Sequence, residues 1–560
     1  MKLIKNHLFY LVLVLIFASV LRLYNLGVVP GSLNWDEVAL GYNALSIAST
    51  GRDEYAQILP VVLRSYDDYK PALYAYLAIP FIVFLGLTEQ AVRLPSAVSG
   101  ILAVFLLYFL TKELLGVKKV SIAGREIDAR LVALSASFFL AISPWHIQFS
   151  RIAFESNVGL TLNIAALLLF LKGLKNSVFL PIAFFVAALN VHVYQSERVF
   201  SPLLIIILCL IFYKKLIKNK KWLIISVATA LIVAFPLLFS ILTNSNSLMR
   251  AKGVSVFSDQ KLAEKSAVKL VRDELNGNVA AKLLDNRRLE FVKAASGGYL
   301  SHLDPNWLFI TGDIARHHAP NMGLLYLFEF PLLLIGFYIL VFLKIDKRYK
   351  ASFFAYFLLV PIPASITSGV PHAVRTLNFA WTFELMIALG FIAICIFILK
   401  LKNKIAKYSF YFLSLVFCLL ALLNFAYYLN QYFVQLNYYH ARDWLFGYKQ
   451  AVLYAREQAG NYDKIVVENE VPFDQSYMFY LFYLGVDPKD YQKTGGTASG
   501  GFREKHRGIY NFTFEPVSTA KYAGKVLYIG RRQDMPVGST IKKSIDFPDG
   551  LNAITISSNE

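Results

Sequence analysis

The chain has 560 residues, of which 56% are hydrophobic and 15% aromatic, and its mean hydropathy is +0.50. This composition is too apolar for an ordinary soluble domain and predicts an integral membrane protein. The formal net charge of +19 would suggest a nucleic-acid partner in a soluble protein. Here the lysines and arginines lie mainly in short linkers between apolar runs, where they set orientation in the membrane, so no nucleic-acid partner is expected.

The first apolar run, residues 7–24, follows Lys2 and Lys5 and resembles a signal peptide. No small-residue cleavage site follows it before Arg22, so it is predicted to be an uncleaved first span. Ten further apolar runs follow, several of them near the length of about 20 residues that a helix needs to cross a bilayer. They occupy approximately residues 91–111, 131–149, 157–171, 177–194, 198–213, 222–242, 321–343, 351–368, 374–399 and 408–428. The expected fold class is mainly α, with about eleven transmembrane helices.

Basic clusters between these runs predict the orientation of the chain. They lie within residues 112–130, 172–175, 214–221, 344–350 and 400–407. Because cytoplasmic loops carry an excess of lysine and arginine, these clusters and the N-terminus are expected in the cytoplasm of a multi-pass plasma-membrane protein. A full span at 71–87 would break the alternation, so this segment is predicted to be a re-entrant or interfacial helix on the outer side.

Two larger non-membrane pieces, residues 243–320 and 431–560, fall on the outer side by the same parity. The second combines an amphipathic pattern (Trp444, Tyr448, Val452 and Ala455) with the β-like runs KIVVEN, KVLYIG and NAITISS. Such a mixture favours a small α/β domain. The predicted domains are a transmembrane domain over 1–430, with a first outer loop at 25–90 and a large outer loop at 243–320, and an extracytoplasmic α/β domain over 431–560.

The polar stretch 33–76 lies between two apolar segments and is predicted to be an active-site loop. Ionised groups held against a bilayer are costly unless they are paired or wetted, so a run of acids there indicates a function. Ordinary solvated loop carboxylates are an equally good interpretation from the spacing alone. The charged residues concerned are Asp36, Glu37, Asp53, Glu54, Asp67, Asp68 and Lys70.

Three other predicted outer ends of spans, at 143–157, 192–198 and 368–375, also carry polar groups. A histidine at such a place is more often a hydrogen-bonded structural residue, and an arginine is equally well an anchor at the lipid head groups. Their occurrence together on one side of the membrane predicts a common cavity. The candidates are His146, Arg151, Glu155, His192, His372 and Arg375.

The order of these motifs resembles a known family. WDE, YDDYKPALYAYL, AVRLPSAVSGILAVFLLYFLTKELLG and SPWHIQFSRIAFES follow one another as in the polytopic GT-C glycosyltransferases that use polyprenyl-phosphate sugars. The family includes protein O-mannosyltransferases and aminoarabinose transferases (glycosyltransferase family 39). The resemblance covers about residues 5–240 and, more loosely, the chain to 428. It implies an inverting enzyme that moves a sugar from a polyprenyl-phosphate donor to an acceptor hydroxyl of a protein, lipid or glycan on the outer face of the membrane.

Carried over position by position, the resemblance makes Asp36 the catalytic carboxylate and Glu155 the acidic residue of the second outer loop. Lys70 matches the lysine that meets the donor phosphate. Because the leaving phosphate gains negative charge, Arg375 is expected, on grounds of charge alone, to help Lys70 bind it. Aminoarabinose transferases place a glutamate directly before this lysine, where this chain has Tyr69, so that metal ligand is not carried over and dependence on a divalent metal stays open. Supporting roles are expected for Glu37, Asp68, His146, Arg151, His192 and His372.

Two other functions stay open at this stage. A lipid or polysaccharide transporter would use the outward acids and bases as a translocation path. Transporters often show inverted repeats and charges buried in mid-span, whereas here the charges cluster at one set of helix ends. An oligosaccharide ligase shares the topology and the lipid-phosphate donor, and only the acceptor and the number of sugars moved would distinguish it.

Overall fold

The computed structural model describes residues 6–66, 68–243, 253–278, 285–498, 505–506 and 508–560. The described chain is mostly helical. Its α-helices are α1 (His7–Leu23), α2 (Trp35–Thr50), α3 (Leu73–Leu85), α4 (Glu89–Leu115), α5 (Ala129–Ile142), α6 (Pro144–Ser150), α7 (Glu155–Gly173), α8 (Phe179–Asn190), α9 (Glu197–Ile211), α10 (Tyr213–Ile217), α11 (Lys220–Thr243), α12 (Gln260–Leu275), α13 (Arg287–Ser301), α14 (Glu329–Phe342), α15 (Lys347–Leu359), α16 (Ile362–Ser365), α17 (Phe379–Lys400), α18 (Lys404–Asn430), α19 (Leu436–Tyr439), α20 (Tyr448–Gln458), α21 (Ser476–Leu484) and α22 (Pro488–Lys493). Its strands are β1 (Val62–Ser65), β2 (Asp68–Pro71), β3 (Lys119–Ile122), β4 (Arg125–Asp128), β5 (Lys464–Val467), β6 (Thr497–Ala498), β7 (Lys505–His506), β8 (Phe512–Phe514), β9 (Val526–Gly530), β10 (Thr540–Asp546) and β11 (Asn552–Ser558).

Each predicted apolar run contains a helix. Within the described residues, α4, α7, α11, α17 and α18 are long and apolar enough to cross a membrane, and α5 with α6, bent by 61°, makes a sixth crossing if the pair is one span. Shorter apolar helices are α1, α3, α8 and α14. The chain is therefore a multi-pass membrane protein, while the number of eleven crossings stays a prediction.

The chain forms two compact units. The first comprises the described parts of Met1–Arg22, Ser99–Phe149 and Glu155–Tyr428. In this unit α14 and α17 cross at close range, with a glycine on each helix. A Cβ atom at Gly336 would overlap the carbonyl of Met386, and one at Gly390 would overlap the carbonyl of Leu332. Small residues allow this kind of close backbone approach between membrane helices.

A buried polar network also joins several helices of the first unit. Glu197 is 1% exposed, and its Oε2 accepts hydrogen bonds from Asn163 Nδ2 at 2.6 Å, Asn190 Nδ2 at 3.2 Å and Ser201 Oγ at 3.2 Å. Its Oε1 accepts one from Asn378 Nδ2 at 2.8 Å. Both oxygens of this carboxyl group thus accept hydrogen bonds from side chains of the surrounding segments. The group therefore holds the helices together rather than facing a ligand.

The second unit comprises Leu23–Val98, Ser150–Phe154 and the described parts of Leu429–Glu560. The predicted boundary at 430 lies beside the passage from the first unit to the second at 428. However, residues 23–98, expected within the transmembrane domain, share a unit with the C-terminal residues. No single boundary along the sequence separates the two units, because each unit combines several separate stretches of the chain.

The C-terminal residues form a five-stranded sheet in the order β10-β11-β9-β5-β8. Strand β5 pairs in parallel with β8 and β9, and the other pairs are antiparallel. The three β-like runs predicted from the sequence are β5, β9 and β11. Tyr448, Val452 and Ala455 are buried on α20, while Trp444 is buried just before this helix. The predicted α/β character of this region is confirmed.

Candidate active site

The polar stretch 33–76 is an ordered helix and hairpin rather than an extended loop. Asn34 begins α2 with a capping box: its Oδ1 accepts from the Glu37 N–H at 3.0 Å, and its own N–H donates to Glu37 Oε2 at 3.1 Å. This reciprocal pair fixes the first turn of the helix. Residues one apart on a helix do not share a face, so Asp36 and Glu37 leave this turn in different directions. Asp67 lies outside the described residues.

Asp36 and Lys70 are in direct contact. Lys70 lies on β2 opposite Leu63 of β1, and its ammonium forms an ion pair with Asp36 Oδ1. The lysine side chain is 7% exposed and the aspartate side chain 26% exposed, and the Tyr66 ring lies 5.8 Å from Lys70 Nζ. The structure thus brings the predicted catalytic carboxylate and the predicted phosphate-binding lysine to one place, with the carboxylate partly exposed to solvent.

Glu37 is engaged in a buried ion pair with Arg93, a residue that the sequence analysis missed. Nε of Arg93 donates to Glu37 Oε1 at 3.0 Å and Nη2 donates to Oε2 at 3.2 Å. The other three N–H groups donate to the carbonyls of Leu26, Pro30 and Ser32 at 3.0, 2.8 and 2.7 Å. All five donors of the guanidinium are used, and Glu37 also accepts from the Ala153 N–H at 2.9 Å. This pair positions the surroundings of Asp36.

Asp68 and Arg151 also make local contacts. Asp68 Oδ1 accepts from the Tyr69 N–H at 2.8 Å. Arg151 is buried, donates from Nη2 to the Val29 carbonyl at 3.0 Å and lies over the Phe433 ring.

The position directly before Lys70 does not fit a metal site. Tyr69 is buried there and offers no carboxylate, whereas aminoarabinose transferases have a glutamate at this position that would supply a metal ligand.

Two further acids of this stretch are buried. Glu54 accepts hydrogen bonds from Tyr477 Oη at 3.2 Å and Thr497 Oγ1 at 2.9 Å. Asp53 Oδ1 accepts from the N–H groups of Tyr55 and Gln57 at 3.0 and 2.9 Å, but its Oδ2 is buried and has no hydrogen-bond partner among the residues that the structure describes. Burial raises the pKa of Asp53 to about 6, because the two backbone hydrogen bonds offset only part of the desolvation.

The remaining predicted residues belong to the first unit. Glu155 begins α7 and is buried. His146, on α6, is fully buried, and its Nδ1 lies 2.8 Å from Arg22 Nη2. His192 donates from Nε2 to the Val233 carbonyl at 2.9 Å. The two histidines have hydrogen bonds of the kind expected for structural residues at helix ends.

Arg375 lies in the segment that precedes α17. Its Nη1 donates to Thr367 Oγ1 at 2.6 Å and to the Ser368 carbonyl at 2.7 Å. The residue is half-buried. Its assignment to the donor phosphate stays a prediction.

His372 belongs to a cluster that the sequence analysis did not assemble. Potential ligand atoms of Asp313, His317 and His372 all lie within 4.8 Å of one another. His317 Nδ1 donates to Asp313 Oδ2 at 2.8 Å, and the His317 and His372 ring centroids are 5.1 Å apart. Burial lowers the pKa of His317 and of His372, so both imidazoles are neutral near pH 7. The four-residue spacing from Asp313 to His317 was the only local signal in the sequence.

A cavity of about 830 Å³ lies among α1, α5, α14, α17 and α18 of the first unit. Its lining is almost wholly apolar and rich in aromatic rings. A hydrocarbon chain is the kind of ligand that such a lining accepts. The phenylalanines that line it include Phe17, Phe138, Phe139, Phe391, Phe417 and Phe425.

Comparison with protein-family models and with curated proteins finds no match. Solved structures do match in fold. ArnT from Cupriavidus metallidurans bound to undecaprenyl phosphate aligns over 98% of this chain and 98% of its own, with a TM-score of 0.52 and 10% identity. Its apo form aligns over 100% of this chain and 99% of its own, with a TM-score of 0.52 and 9% identity.

An oligosaccharyltransferase from Archaeoglobus fulgidus, tethered to an acceptor peptide, aligns over 86% of this chain with a TM-score of 0.49 and 13% identity. This chain covers 64% of the length of that protein. The similarity to ArnT extends over the whole chain and includes the C-terminal sheet. The predicted GT-C fold is therefore confirmed.

Proposed function

We propose that this protein is an inverting glycosyltransferase that moves a sugar from a polyprenyl-phosphate donor to an acceptor hydroxyl on the outer face of the plasma membrane. The observation that carries the proposal is the ion pair of Asp36 and Lys70. Sugar transfer from a lipid phosphate needs a group that takes a proton and a cation that meets the leaving phosphate. The ArnT fold supports the proposal, since that protein is solved with undecaprenyl phosphate bound.

In the proposed reaction the acceptor oxygen attacks the anomeric carbon from the face opposite the phosphate. A new carbon–oxygen bond forms while the bond from the anomeric carbon to the phosphate oxygen breaks, and the bonding pair leaves with the phosphate. Asp36 takes the acceptor proton, and Lys70 meets the negative charge on the phosphate. A single displacement inverts the anomeric configuration.

The ion pair suggests an order of events for this mechanism. Before the donor binds, Lys70 neutralises Asp36. A donor phosphate competes for the same ammonium, and its arrival releases the carboxylate to act on the acceptor. The carboxylate would then be released from its ion pair only when the leaving group is in place.

The resemblance adds Glu155 as a second catalytic acid, and the charge of the leaving phosphate favours Arg375 as a second phosphate-binding residue; both assignments are to be tested by substitution. Glu37, through Arg93, and Arg151 act as positioning residues.

We place the N-terminus in the cytoplasm and residues 431–560 outside the cell, as the basic clusters predict. A cysteine introduced at 112–130 should resist an impermeant thiol reagent added from outside, and its labelling would overturn this orientation.

The reaction is tested with the full chain in proteoliposomes. The donor is a lipid extract, labelled in its sugars, from cells that lack the gene, and the acceptor fraction comes from the same cells. We expect release of polyprenyl phosphate together with a glycosylated product of inverted anomeric configuration. Asp36→Asn should abolish both signals, and Asp549→Asn, in an exposed ion pair with Arg442, should leave them unchanged.

Other outcomes would identify the alternative functions. Transfer of a preassembled oligosaccharide would indicate a ligase. Movement of the intact lipid across the bilayer without release of polyprenyl phosphate would indicate a transporter and would contradict the proposal. Mass spectrometry of surface glycans and lipids in the deletion strain then identifies the sugar and the acceptor.

A further inference from the structure

We propose that Asp313, His317 and His372 form a binding site for one Zn²⁺ ion. Two imidazoles and one carboxylate are a usual set of protein ligands for zinc. The three side chains come from two distant parts of the chain, the segment before α14 and the segment before α17. Their potential ligand atoms already lie within 4.8 Å of one another.

The backbone around the site holds these ligands in place. Gly312, at φ +68°, makes the turn before Asp313, and a Cβ there would lie 2.7 Å from the His318 ring. The Ala373 N–H donates to Asp313 Oδ2 at 2.6 Å, which ties the two segments together. These contacts orient the carboxylate before any ion arrives.

His302 supplies a second support. Its Nδ1 donates to the Gly298 carbonyl at 2.6 Å, which leaves Nε2 as an acceptor, and Nε2 accepts from the His372 N–H at 3.0 Å. Both nitrogens of His302 are thus used, so it positions His372 and is not a ligand.

His372 is the residue that most directly points to a ligand. Its Nδ1 is buried and makes no hydrogen bond with any described residue. Buried polar atoms without a partner are rare, because nothing compensates for the loss of their hydration. A metal ion would satisfy this nitrogen, because the ligating form of histidine is the neutral imidazole.

Side chains of the cluster must move for an ion to bind. Ligand atoms around a tetrahedral zinc ion lie about 3.3 Å apart, whereas those of the cluster are separated by up to 4.8 Å, and Asp313 Oδ2 and His317 Nδ1 are 2.8 Å apart in their hydrogen bond. Binding would open this hydrogen bond by about 0.5 Å and would draw the more distant ligand atoms together by up to about 1.5 Å. The positive charge of Arg316 acts against positive charge at His317, and that of Arg375 acts against positive charge at His372. The negative carboxylate of Asp313 acts in the opposite direction on both histidines and so offsets part of this repulsion.

Three protein ligands leave one coordination position for water. The ion would act as a clamp, because it fastens the segment before α14 to the segment before α17. Ions that bind only the folded state stabilise it by mass action. We therefore expect zinc to raise the unfolding temperature of the purified protein.

The test uses the full-length protein without a polyhistidine tag, stripped with a chelator and reloaded with Zn²⁺ alone. We expect the wild type to retain about one zinc ion per chain after desalting. His372→Gln and Asp313→Asn should lower the zinc affinity at least about 10-fold and remove the rise in unfolding temperature. His440→Gln, which alters a histidine outside the cluster, should behave as the wild type.

The proposal is overturned if the stripped wild type takes up no zinc, or if both variants keep it. Should a variant fail to give a monodisperse sample, X-ray absorption of the zinc-loaded wild type decides: two imidazoles around the ion support the site, and any other shell contradicts it. Neither measurement depends on transferase activity.

Discussion

Asp36 and Glu37 both pair with a cation in the first turn of α2, but the two pairs differ in burial and in hydrogen bonding. Glu37 and Arg93 are both fully buried, and every N–H of the guanidinium has an acceptor. Asp36 keeps 26% of its side chain exposed, and its partner is a lysine with a single point charge. A fully buried pair with every donor used holds structure, whereas a pair whose carboxylate is partly exposed can exchange its cation with a ligand.

The largest effect should come from breaking the saturated pair. Arg93→Met leaves Glu37 buried without its cation and leaves three carbonyls without a donor, so we expect a loss of about 3–5 kcal/mol in the free energy of unfolding. Thermal unfolding in detergent measures it. Arg442→Met, in the exposed pair with Asp549, is the matched control and should cost less than about 1 kcal/mol. Equal losses in the two variants would remove the distinction between the pairs.

Breaking the partly exposed pair on the carboxylate side should affect chemistry more than folding. Asp36→Asn keeps the shape and the hydrogen-bonding oxygen of the side chain but cannot take a proton, so single-turnover rates should fall about 100-fold or more, with a smaller loss of stability than in Arg93→Met. Glu155→Gln, measured with the same donor, tests the rival base. Near-normal turnover in Asp36→Asn would rule out its role as the base.

On the lysine side the effect should be smaller and should appear in binding. Lys70→Met keeps the length of the side chain and removes the charge that meets the phosphate, so polyprenyl phosphate should bind about 10-fold more weakly. Lys449→Met, in the ion pair with Glu89, is the control of matched chemistry. If both variants bind the lipid phosphate like the wild type, Lys70 serves only to neutralise Asp36.

Asp53 extends the comparison to a buried carboxylate whose pKa is raised by burial more than it is lowered by two backbone hydrogen bonds and by the nearby Arg64. Its folded pKa of about 6 lies above its ordinary value of 3.8, so the folded state favours the protonated form, and stability falls as the pH rises through this interval. Between about pH 5 and pH 7.5 the wild type should lose about 1 kcal/mol of stability through this group. Asp53→Asn, compared by thermal unfolding at both pH values, should show a smaller loss, and an unchanged loss would assign it to other groups.

Much of the fold could be predicted because apolar runs report helices directly. The apolar run at 91–111 forms α4 and the run KVLYIG forms β9. In both cases the length of the run and its residue types were sufficient to predict the element. The hairpin of β1 and β2 was not predicted, because a polar stretch with short apolar pieces looks like a loop until its strands pair. The grouping of 23–98 with the C-terminal residues depends on contacts between distant segments, which local patterns do not encode.

The candidate site shows the same limit. Asp36 and Lys70 were found because the motifs that contain them occur in a recognisable order. Arg93 was missed, since a lone arginine in an apolar run looks like an anchor until its five acceptors are known. Asp313 and His317 escaped notice because their partner His372 lies in another segment, and only the folded chain brings the three together.

The glycine crossing of α14 and α17 has a mechanical consequence. With Gly336 against the Met386 carbonyl and Gly390 against the Leu332 carbonyl, neither helix can slide along the other without driving backbone atoms into contact. We therefore expect the two helices to tilt or shift together. A displacement of the segment before α14 would then be accompanied by a displacement of the segment before α17.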